Sequence, residues 1–114
     1  MRTKLDRLLD IANSLNLAEG RTQTDVPFFS LVRRNGPTAI MPGVLTPSFC
    51  LILQGVKKLH LGQDTILYGA GDYLVSLIDM PASGQVIGAT RQSPHLGLRI
   101  DIASDEIAAV MREA

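Results

Sequence analysis

The sequence predicts a mainly β domain, a small β-barrel or sandwich flanked by an N-terminal helix and the start of a C-terminal helix. Three observations predict it. From Thr22 to about Ile102, short apolar segments are punctuated by Gly, Pro, Asn and Asp at roughly eight- to twelve-residue intervals, the rhythm of all-β sandwiches and barrels. Before that, Leu5, Leu8, Leu9, Ile11, Ala12 and Leu15 recur at spacings of three and four, the signature of one helix face. A length of 114 residues with 46% hydrophobic content supplies one core and excludes two full domains. The expected organisation is a helix in residues 1–20, a barrel in 21–103, and the opening of a second helix in 104–114.

Thr3 is placed to cap the first helix, and Asn16 to Gly20 ends it. Phe28–Arg34 reads as a strand closed by Asn35-Gly36-Pro37, and a second extended stretch runs to Met41 before Pro42-Gly43. Phe49–Gln54 is a near-continuous apolar run, as in a central strand buried on both faces, and Gly55 interrupts it at a bend or bulge. Val56–Leu61 alternates, with Leu59 and Leu61 on one face and Lys58 and His60 on the other. Gly62-Gln63-Asp64 then reverses the chain into Thr65–Tyr68. After Gly69-Ala70-Gly71-Asp72, Tyr73–Ile78 is again mostly apolar, and Met80–Gly84 reads as a turn or loop. Gln85–Arg91 and His95–Ile102 complete the set. The last strand sets Leu96, Leu98, Ile100 and Ile102 against His95, Gly97, Arg99 and Asp101. Ser104-Asp105-Glu106 opens a second helix with Ile107, Val110 and Met111 as its apolar stripe, still unfinished at Ala114. The natural chain is therefore expected to be longer.

Charge narrows the function. Eleven Lys+Arg balance eleven Asp+Glu, so the chain lacks the basic surplus with which a nucleic-acid binder neutralises phosphates. With no Trp, two Tyr and three Phe, it also lacks a base-stacking platform. Neither nucleic acid nor a membrane is an expected partner of this segment. Asp6 and Asp10 interrupt any signal-peptide core, and no apolar run approaches the roughly 20 residues of a membrane span. The lone Cys50 cannot form an internal disulfide, which together with the absent signal peptide predicts a cytoplasmic protein. Net neutrality with a mean hydropathy of +0.17 points to apolar surface covered by a partner, and the apolar stripes of the two terminal helices, which need burial, lead to the expectation of a homodimer.

No catalytic constellation emerges. Two histidines on separate strands, His60 and His95, fall short of the three or four converging ligands of a metal site, so neither metal nor cofactor is expected. Ser83 lies in an incomplete elbow pattern and Cys50 in an apolar run that disfavours a thiolate. Gly69-x-Gly71 leads into a strand, not a helix, and so cannot cradle a phosphate. The remaining ligand-binding candidates are Gln54, His60, Tyr73, His95 and Arg99. Alternating polar residues ordinarily mark a solvated face, whereas in a closed barrel the same pattern aims polar groups inward to orient a ligand. On the residues alone both readings stand.

A longer pattern narrows the choice. Pro47–Lys58, with Gln54-Gly55-Val56-Lys57 as a Q-G-x-K string, is followed by Leu61-Gly62, by Tyr68-x-x-Gly71-Asp72-Tyr73-Leu74-Val75 and by Asp79-Met80-Pro81-x-x-Gly84-Gln85. Together with Pro94-His95-Leu96-x-Leu98, the series resembles the N-terminal, cupin-like domain of AraC-type transcriptional regulators over about residues 22–110. The resemblance implies a small cupin-like barrel that senses a small-molecule effector, mediates dimerisation, or does both, and thereby controls a helix-turn-helix DNA-binding domain further along the natural chain. It implies no enzymatic activity, because the metal-binding histidine cluster of catalytic cupins has no counterpart here. The alternatives are a small cupin enzyme, an isomerase or dioxygenase, and a ligand-free structural dimerisation barrel.

Overall fold

The computed structural model describes residues 3–103 together with Asp105, Ala109 and Arg112. The first helix, α1, spans Lys4–Ser14 with Leu15 as its C-cap, so it ends at the last residue of the apolar spacing. It starts at a capping box: Asp6 N–H donates to Thr3 Oγ1 at 3.1 Å, and Thr3 N–H donates to the Asp6 carboxylate at 3.0 Å.

Among the described residues nine strands follow: β1 (Gly20–Gln23), β2 (Phe29–Arg34), β3 (Met41–Leu45), β4 (Ser48–Gln54), β5 (Val56–Leu61), β6 (Asp64–Gly69), β7 (Tyr73–Ser76), β8 (Met80–Gly88) and β9 (His95–Asp101). They form two antiparallel sheets, a five-stranded one in the order β1-β2-β9-β4-β7 and a four-stranded one in the order β3-β8-β5-β6. The fold is a two-sheet β-sandwich, as the sequence rhythm predicts.

Two predicted loops are strands. Pro42-Gly43 lies within β3, and Met80–Gly84 forms the first half of β8, the two pairing as Met41↔Gly84 through Leu45↔Met80. Proline is tolerated at both places. Pro42 is on an edge strand, and Pro81 lies beyond the pairing of β8 with β5, which ends at His60↔Ser83. The predicted second helix falls mostly outside the described residues: Asp105, Ala109 and Arg112 are helical, while its cap and apolar stripe are not described.

The apolar interior is divided by the larger sheet. On its outer face, Leu5, Leu9 and Ala12 of α1 pack on Leu31, Leu53, Leu96 and Leu98, with Phe29, Phe49 and Ile100 at the margins. Between the sheets, Ile52 meets Leu59 and Tyr68, flanked by Leu45, Leu61 and Leu74. β4 is covered on both faces, which explains its unbroken apolar run. The helix claims the Leu96, Leu98 and Ile100 face of β9. The opposite row, His95, Gly97 and Arg99, is thereby turned into the space between the sheets.

Gly55 joins the two sheets. Its φ of +93° belongs to glycine, and a Cβ there would sit 2.8 Å from Gly88 O and 2.9 Å from His95 Cα. Only a bare backbone lets β4 turn into β5 against the start of β9. Among the described residues, no helix is long and apolar enough to cross a membrane.

Candidate functional site

The inter-sheet space is not filled. A cavity of about 130 Å3 opens among Arg21, Val32, Ile52, Lys57, Tyr68, His95 and Arg99, with Cys50 and Gly97 in its wall. Strand register assembles this set: Arg21↔Val32, Val32↔Gly97 and Gly97↔Ile52 form one row across the larger sheet, and Arg99↔Cys50 the next. The smaller sheet contributes Lys57 and Tyr68, which are paired in register.

His95 is 4% exposed, and its Nδ1 has no hydrogen-bond partner. Burial lowers its pKa to about 4, helped by the charges of Lys57 and Arg34 and opposed by the Gln54 backbone, so the ring is neutral at physiological pH. Lys57 is lowered from the usual lysine value, first by burial and then by Arg34 and Arg99, against an opposing contribution from Cys50. Tyr68 is pushed up to about 12 by burial and by Cys50, so its phenol stays protonated. Arg99 lies at the rim: its Nε donates to Asp101 at 2.8 Å and its terminal nitrogen to Thr46 Oγ1. Arg21 donates from Nε to the buried Ser30 hydroxyl at 3.1 Å and faces Asp101 at 3.5 Å.

Of the five candidates from the sequence, His95 and Arg99 line this cavity. Gln54 stands beside it as a positioning group, its side-chain amide donating to Pro94 O at 2.9 Å at the entry to β9. His60 lies elsewhere, in a shallow groove with Pro42, Gly43 and Pro81, its Nδ1 3.2 Å from Thr65 Oγ1. Tyr73 is 66% exposed and stacks on Phe49 with ring centroids 5.6 Å apart, away from the cavity. Sequence reasoning did not single out Lys57, although extending the β5 alternation back from Leu59 and Leu61 puts it on the same inward face. Among the described residues, no cluster of three or more His, Cys, Asp or Glu is placed to hold a metal ion.

Residues 25–114 match the model of the AraC-type transcriptional regulator N-terminus. The chain belongs to this family. The AraC-type domain has no match among curated proteins, but its fold recurs in solved structures. The cupin domain of Cnp3 from Schizosaccharomyces pombe superposes with a TM-score of 0.58 at 17% identity, covering 86% of this chain and 71% of that one. A cupin-2 domain protein from Shewanella frigidimarina gives 0.53 at 13% identity, covering 82% and 91% respectively. At these identities the likeness is one of fold. The AraC-type domain spans 54% of the ethanolamine utilization protein Q structure from Salmonella typhimurium, with 63% of its own length covered, 14% identity and a TM-score of 0.48.

Proposed function

We propose that this domain is the effector-sensing and dimerising part of an AraC-type regulator, non-catalytic, and controlling an attached helix-turn-helix DNA-binding domain. The observation that carries the reading is the cavity: a fully packed barrel would serve dimerisation alone, whereas this one keeps Lys57, Tyr68 and a buried His95 around open volume. Family membership supports the regulatory role. The mechanism is a population shift, in which a ligand favouring one arrangement of strands and helices biases how paired DNA-binding domains engage their sites.

A metabolite screen by thermal denaturation tests it, with sedimentation velocity run in parallel. The reading expects at least one small molecule to raise the Tm, and self-association of the chain. Absence of any shift favours the ligand-free dimerisation barrel. Stoichiometric iron, zinc, manganese or nickel accompanied by turnover would overturn the non-catalytic assignment.

A further inference from the structure

The cavity wall has a definite electrostatic character. Lys57 reaches it past Gly84, where a Cβ would stand 3.2 Å from Lys57 Cε; the missing side chain on β8 is the channel for the lysine stem. Among the described residues no carboxylate pairs with Lys57. The neighbouring carboxylates are engaged elsewhere, Asp101 with Arg99 and Arg21, and Glu19 with Arg34 at 3.4 Å. Four cationic side chains, Arg21, Arg34, Lys57 and Arg99, thus meet two acids, and the part-buried Lys57 ammonium is the one left unmatched. A buried charge without a partner is costly. Beside it stands His95, a cavity-lining side chain only 4% exposed. Val32 and Ile52 supply apolar wall between these polar atoms. At about 30 Å3 per liquid water, the volume holds about four waters or a few non-hydrogen atoms.

We propose that the cavity binds a small organic carboxylate, its oxyanion on Lys57 Nζ, its polar remainder beside the His95 ring and its short carbon chain against Val32 and Ile52. The proposal rests on the sensing role of the barrel and names the chemistry of what is sensed. The ammonium gives three donors to an oxyanion. The neutral imidazole donates or accepts according to its tautomer, which suits a carboxylate oxygen or an adjacent hydroxyl.

The test is calorimetric and thermal titration of the full chain with propionate, lactate, phosphate, chloride and the neutral propionamide at matched ionic strength. The expected result is saturable binding of propionate or lactate with a rise in Tm, absent for propionamide. Lys57→Met keeps the stem and removes the charge, and is expected to weaken carboxylate binding about 10- to 100-fold. Nitrogen-15 shifts of the His95 ring in the unmodified chain give a readout independent of the variant's folding, and are expected to move on saturation with lactate. Carboxylate binding that survives Lys57→Met, or an unmoved His95 ring, overturns the assignment. Binding of phosphate or chloride alone also overturns it, as an inorganic anion site. A Tm response confined to neutral metabolites overturns the carboxylate while leaving the sensing role intact; no response to any compound removes both.

Discussion

Burial beside Lys57 and Arg34 keeps the His95 ring neutral, with a pKa of about 4 against 6.5 in the unfolded chain. Between those values the unfolded state binds the extra proton, so this contribution to stability is complete above about pH 6.5 and is lost as pH falls toward 4. The loss from this one group is roughly 3 kcal/mol. Urea denaturation across that interval is expected to show the decline, and His95→Gln to flatten it. Gly55 offers a second test at the same scale. Gly55→Ala forces a Cβ against two backbone atoms at under 3 Å and a φ of +93°, with an expected cost of about 3 kcal/mol or more. Gly20→Ala is the control: its φ is +108°, but nothing lies within 4 Å of the added carbon, so only conformational strain of about 1 kcal/mol is expected. Equal losses at the two sites would refute the steric account of Gly55. Reading Tyr73 rather than Tyr68 as a pocket residue has a comparable residue-level origin. Both flank the same glycine turn, and only the pairing of Lys57 with Tyr68 sends one of them inward.

At the level of elements, α1 shields the larger sheet as a sheet-on-helix layer, and its contribution is concentrated where Ala12, Leu53 and Leu98 meet. Leu53, 3% exposed, is the buried residue of β4 in the cluster under the helix; Leu53→Ala is expected to cost about 2–5 kcal/mol, measured by chemical denaturation. A loss under 1 kcal/mol would mean that the helix is a loose appendage. The positions of α1, β5 and β9 were legible because each repeats its apolar residues at the period of its own geometry, and β4 because its apolar run is unbroken. The first half of β8 was not. Pro81, Ala82, Ser83 and Gly84 are turn formers by type, and what makes them a strand is the β3 edge beside them, a contact between segments about 40 residues apart in the chain. The direction of the polar row on β9 was likewise hidden. Alternation separates two faces without saying which one a distant helix will cover.

For the whole molecule, the strand order gives an uneven stability map. β9 is paired on both sides along its length, by β2 and β4, whereas β1, β7, β3 and β6 each close a sheet edge. Amide hydrogen exchange is expected to be slowest at Leu98 and Ile52 and fastest on the edge strands; uniform protection would contradict this topology. The legible part of the candidate site follows the same division. His95 and Arg99 could be named because they share one strand, while Lys57 enters from the other sheet and required the fold to bring it across.

Leu98 has a consequence at this scale. It borders the polar cavity on one side and the apolar groove beneath α1 on the other, so the two environments are separated by a single thickness of backbone. An occupant that shifts β9 alters the floor on which the helix rests without any relay of intervening side chains. β9 is thus a wall shared by the cavity and the groove, a diaphragm between them.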